Sequence, residues 1–159
     1  MVDKIKIDTT DNKIISALKE NSKLSYRKLA KKLLLPVTKV HHRIRNLENR
    51  GVIKKYTVVL DNKKLGKDLC AYILIKVDYS YLKSSGLSQQ ELAKKFKRRD
   101  DIEDVCLVTG LKDIILKVRV SSIDELNQFI TKDLRNNTGV KSTETLIILD
   151  ELNWWKSKN

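Results

Sequence analysis

A single proline, Pro36, and only five glycines in 159 residues leave little chain for long loops, so most of it must be regular structure. Pro36 also separates two apolar stripes. It cannot sit in a helix interior but suits the first turn of a helix that follows it. Before it, Ser25 is placed to cap a helix with Leu29, Ala30 and Leu33 on one face and Arg27, Lys28, Lys31 and Lys32 elsewhere. After it, Val37, Val40, Ile44 and Leu47 describe one buried face, and Gly51 falls where a helix C′ residue belongs. Upstream, Asp8-Thr9-Thr10-Asp11 reads as a helix start, with Ile14, Ile15 and Leu18 inward as far as about Glu20; Asn21-Ser22-Lys23 breaks it. Val52 to Leu60 reads as a β-branched strand with Lys54 and Lys55 at its base. Three short helices, a tight turn and a basic strand make a winged helix-turn-helix.

The charge is lopsided in the same sense. The chain carries a formal +13, of which residues 1–66 hold 17 Lys and Arg against 6 Asp and Glu, a net of +11; residues 67–159 are nearly balanced. Such asymmetry marks the part that meets a polyanion. At ~100° per residue, Thr38, His42, Arg45, Asn46 and Asn49 point away from the apolar face of the helix over 37–49, with Lys39 alongside. These are the donor types that read base edges and phosphates in a major groove. Arg27, Lys28, Lys54 and Lys55 are the surrounding phosphate candidates. His41 and Arg43 fall on the flanks, suited to phosphate or intraprotein contacts. A polar helix face is otherwise a solvated face. His41 and His42 are neighbours rather than i, i+4 partners, and no third histidine exists, so no metal is expected.

The second half has its own pattern. Leu69 to Val77 reads as a strand; Ser88 with Glu91 forms a capping box ahead of Leu92, Ala93 and Phe96. Val105 to Thr109 and Ile114 to Val120 read as strands, Ser122 with Glu125 as a second box before Leu126, Phe129, Ile130 and Leu134, and Thr143 to Leu152 as the last strand. Strand, helix, two strands, helix, strand is the βαββαβ, ferredoxin-like order. The expected class is therefore α+β, with a winged helix-turn-helix over 1–60, a strand-like hinge over 61–68 and the βαββαβ domain over 69–159. Cys70 and Cys106 sit in apolar runs without ligand spacing and read as buried reduced thiols. The longest apolar stretches fall far short of the ~20 residues of a spanning helix, and the first residues hold no apolar targeting core, which fits a cytoplasmic protein with no membrane partner.

Leu29-Ala30, Arg43-Ile44-Arg45-Asn46-Leu47-Glu48 and Gly51-Val52-Ile53-Lys54-Lys55-Tyr56 resemble the DNA-binding domain of the leucine-responsive regulatory protein/AsnC family. Ile7-Asp8 with Asp11, Ile14 and Leu18, and the hinge Asp61 to Gly66, are similar too, and the likeness continues into the second half. The resemblance implies a regulator that binds double-stranded DNA, dimerises through the βαββαβ domain, assembles into multiples of dimers and takes an amino acid or other small effector. It places the effector loop at Thr109-Gly110-Leu111-Lys112-Asp113, where Thr109, Gly110 and Asp113 are the candidates. The family's first acidic position is leucine here and its usual aromatic is lysine, so a tight turn with a solvated aspartate competes with an effector site. The segment Tyr79 to Gly86 is longer than the family's. Siroheme decarboxylases resemble the same architecture, but residues 67–159 hold no histidine and only four arginines, Arg98, Arg99, Arg119 and Arg135. A non-specific architectural DNA binder is the other alternative. No catalytic constellation or cofactor motif stands out. Trp154 and Trp155 suit packing or oligomer contacts alike.

Overall fold

A computed structural model of the chain describes residues 6–151. These divide into two compact units, one ending at Val59 and the other beginning at Leu60. Leu152, Trp154 and Trp155 lie outside the described residues. Among the described residues no helix is long and apolar enough to cross a membrane.

The first unit holds helices α1 (Thr9–Glu20), α2 (Tyr26–Leu33) and α3 (Val37–Asn49). Asp8 caps α1, accepting from the Asp11 amide at 2.8 Å while Asp11 accepts from the Asp8 amide, so the start is a full capping box. Ser25 caps α2 by accepting from the Lys28 amide. Ile14, Ala17, Leu18, Leu29, Ala30, Val40, Ile44 and Leu47 form one core, so three short helices each bury a single stripe. Val37 does not join it. It is 43% exposed, because as the first residue of α3 it lies beyond the packed turns, which corrects its place on the buried face.

Downstream of α3 the sequence expectation fails in a second way. Gly51 ends the helix at φ +69, as expected of a C′ residue. The segment from Lys54 to Leu60 is nevertheless no strand: it finds no ladder partner among the described residues, whose four strands all pair with one another in the second unit. β-propensity alone does not make a strand without a neighbour.

The second unit is a ferredoxin-like βαββαβ fold with an added helix. It comprises β1 (Leu69–Val77), α4 (Tyr79–Ser85), α5 (Gln89–Phe96), β2 (Ile102–Leu107), β3 (Ile114–Val120), α6 (Ile123–Gln128) and β4 (Val140–Ile147). The antiparallel sheet has the order β2-β3-β1-β4. Ala71, Ile73, Ile75 and Val77 of β1 and Ile114, Leu116, Val118 and Val120 of β3 face Leu82, Leu92, Phe96, Leu126 and Phe129. That alternation puts every second strand residue under the helices and leaves the opposite sheet face uncovered by them.

Several boundaries shift. The second strand starts at Ile102 rather than Val105 and ends at Leu107, and the last spans Val140–Ile147 rather than starting at Thr143. The helix after Ser122 passes into a π-helical turn over Phe129–Leu134, and Glu125 bonds the Ser121 amide and hydroxyl instead of closing a box with Ser122. The long segment after β1 is the extra helix α4, capped by Asp78. Cys70 is buried as expected, but Cys106 is exposed, since it faces away from the core on the edge strand β2.

Candidate nucleic-acid interface

Helix α3 sorts its polar residues by whether the domain already holds them. On its flanks each is taken. Arg43 Nη1 lies 2.5 Å from Asp8 Oδ2 and 2.8 Å from Asp11 Oδ1, so its guanidinium bridges to the amino terminus of α1. The Asp11 amide and this guanidinium together hold the Asp8 carboxyl below the usual carboxylate range. His41 stands edge-on to Tyr26 with ring centroids 5.0 Å apart. Glu48 accepts a 2.7 Å hydrogen bond from the Tyr56 hydroxyl.

Between those flanks the picture reverses. Thr38, Lys39, His42, Arg45, Asn46 and Asn49 are all exposed, and their side chains have no hydrogen-bond or ion-pair partner among the described residues. Pro36 supplies no capping side chain, so the leading amides of α3 have no side-chain cap. Arg27, Lys28, Lys54 and Lys55 are exposed in the same unit, and none forms an ion pair among the described residues. The result is a cationic surface whose centre carries short donors and acceptors and whose edges carry lysine and arginine. Such a surface can neutralise phosphates and still address base edges.

Three residues in this region were not singled out from sequence. Tyr56 and Glu48 are linked across the end of α3, and only their place in a quoted motif hinted at it. Leu34, between α2 and α3, is 91% exposed with φ 53, a left-handed turn position that glycine fills without strain. Its neighbours Leu33 and Leu35 pack on the core instead.

In the second unit, Thr109 and Gly110 are exposed on the turn between β2 and β3, whereas Asp113 is 6% exposed. The Asp113 carboxylate accepts from the Val77 amide at 2.9 Å and the Tyr79 hydroxyl at 3.0 Å, with Lys76 Nζ at 3.2 Å. Burial pushes this carboxyl upward, but the Val77 amide, Lys76 and Tyr79 outweigh it and hold the group below its ordinary value. Gln89 Nε2 donates to the Asp113 carbonyl at 2.7 Å, so α5 is tied to the same turn. Asp113 is therefore no solvated turn aspartate. Among the described residues no His, Cys, Asp and Glu cluster suits a metal ion.

Comparison with known proteins agrees with both halves. Residues 7–54 match a winged helix-turn-helix DNA-binding model, and residues 70–153 match the Lrp/AsnC ligand binding domain. An uncharacterized HTH-type transcriptional regulator of Pyrococcus horikoshii is 37% identical over 141 residues, covering 89% of this chain and 91% of that protein. The structure of Bacillus subtilis LrpC superposes with a TM-score of 0.81 at 28% identity, covering 94% of this chain and 99% of that one. A feast or famine regulatory protein of Mycobacterium tuberculosis, solved with L-methionine, gives 0.81 at 25% identity over 93% of this chain and 95% of that one. The chain is a DNA-binding transcriptional regulator of the Lrp/AsnC family.

Proposed function

We propose that the protein is a sequence-specific reader of double-stranded DNA that works as a dimer or a multiple of dimers, with α3 in the major groove. The observation that carries this is the division of α3 into flank residues held by the domain and a central set left unpartnered. Thr38 and Lys39 stand at the end of the helix that approaches bases in helix-turn-helix docking; His42, Arg45 and Asn46 follow one turn on. Arg27, Lys28, Lys54 and Lys55 supply phosphate contacts. On this reading the chain divides into a DNA-reading domain over 1–60, a hinge over 61–68 and an assembly domain over 69–159.

Support for the dimer comes from apolar surface left exposed among the described residues. Tyr72 on β1 and Leu146 on β4 are registered partners on the sheet face away from the helices, 38% and 49% exposed. Val58, Val59 and Leu60 are all more than half exposed on an extended segment with open backbone groups. A second copy covers both kinds of surface.

An amino-acid effector at the turn holding Thr109, Gly110 and Asp113 belongs to the same reading, supported by the L-methionine complex of the M. tuberculosis relative. Because the Asp113 carboxylate is already engaged, an incoming ammonium exchanges with that of Lys76 rather than filling a vacancy. The role proposed is regulatory and cytoplasmic rather than enzymatic; both histidines of the chain lie on α3 and none in the second unit.

Selection of bound sequences from random duplexes tests the reading. An enriched, two-fold related motif is expected. Steeply salt-dependent binding with no enriched motif favours an architectural DNA binder instead.

A further inference from the structure

We infer that Tyr56 is a positioning residue for DNA binding: its hydrogen bond to Glu48 holds the Lys54-Lys55 pair beside α3, where the described residues of this unit form no β-hairpin. The inference rests on the DNA-binding reading of the first unit and adds how its basic edge is kept in place.

A basic wing contributes phosphate contacts only if its backbone is held against the recognition helix. A hairpin does this through cross-strand hydrogen bonds. Here residues 54–60 have no ladder partner among the described residues. Instead, three tethers run from residues 52–57, two to α3 and one to the turn after α1. Immediately after Gly51, the Val52 and Ile53 amides both donate to the Leu47 carbonyl, at 2.9 and 3.2 Å. Past the lysines, the Tyr56 hydroxyl donates to Glu48 Oε1 at 2.7 Å. One residue later the Ser22 hydroxyl reaches the Thr57 carbonyl at a long 3.4 Å.

Lys54 and Lys55 therefore lie between a firm backbone anchor at 52–53 and the Tyr56 hydroxyl. The Thr57 contact is too long and too exposed to substitute for it. The bond joins a phenol to a carboxylate, which makes it charge-assisted and stronger than a neutral pair. It also gives Glu48, the one carboxylate on α3, a fixed partner at the helix flank. Burial and the Glu48 carboxylate raise the Tyr56 phenol to about 12, so it remains a donor across the whole neutral range. Being 48% exposed, the ring contributes little to the core, which leaves positioning as its main contribution.

Tyr56→Phe removes one oxygen and keeps the ring. Binding to a mixed-sequence duplex is measured against salt for the wild type, Tyr56→Phe, the Lys54→Ala/Lys55→Ala pair, and the triple variant. The slope of log affinity against log salt is expected to fall by about one to two for Tyr56→Phe. No further fall is expected when Tyr56→Phe is added to the lysine pair, and the variant stays folded, its melting temperature lowered only by the loss of one half-exposed hydrogen bond. An unchanged slope, or an equal loss with and without the lysines, overturns the inference. A wild type that binds no duplex at low salt overturns the DNA reading itself, a distinct result.

Discussion

Arg43 on α3 and Asp11 on α1 are joined at 2.8 Å, with the Asp11 side chain only 12% exposed, so the proposed recognition helix is braced by α1. Arg43→Met keeps the aliphatic stem and removes the brace. The expected cost is on the order of 1 kcal/mol, because one partly covered carboxylate loses its cation. Urea denaturation checks the loss. The preferred DNA motif stays the same, since Arg43 is spent within the domain.

Leu34 holds φ 53 with its side chain in solvent. Leu34→Gly is expected to stabilise the first unit by about 1 kcal/mol, since a left-handed residue with a Cβ is strained by roughly that amount. A β-branched valine there is expected to destabilise it. The two melting temperatures should move in opposite directions.

Asp113 makes the second unit acid-sensitive. Its folded carboxyl is held below the unfolded value, so its contribution is complete above that unfolded value and is lost as pH falls through the folded one. Asp113→Asn is expected to lower stability at neutral pH by about 2 kcal/mol, because the Val77 amide and Lys76 lose a charged acceptor. It should also flatten the dependence of stability on pH in the acid range. Chemical denaturation as a function of pH reads both effects. Equal acid sensitivity in the two proteins contradicts the assignment.

Tyr56 acts at the other end of the scale. Its phenol is raised to about 12 in the folded chain, so the bond to Glu48 is complete below the ordinary phenol value near 10 and is lost as pH rises through about 12. Ultraviolet titration of Tyr56→Phe against the wild type should show one late-titrating tyrosine missing.

Capping residues and core stripes were legible in the sequence because their partners lie three or four residues away. Asp8 with Asp11, Ser25 with Lys28 and Ser88 with Glu91 follow from spacing alone. Both folds follow from the order of such elements. What the sequence did not show depends on partners set by tertiary structure. Arg43 reaches back 35 residues to Asp8, and Asp113 reaches back 36 to Val77; neither spacing carries a local signal. The stretch 52–60 has strand composition, but pairing needs a second strand that the described chain does not supply to it. Val37 keeps the helical period yet lies past the end of the core. The exposed face of α3 was legible as a face. Which of its residues are already bonded was not.

The central claim is that the unpartnered face of α3 reads bases, and Arg45 tests it most directly. Sequences are selected from random duplexes with the wild type and with Arg45→Ala under identical salt. The expected result is one motif for the wild type and the same motif relaxed at a single base pair in each half-site for the variant, with discrimination there reduced by about 1–3 kcal/mol. An identical motif from both proteins would contradict the account.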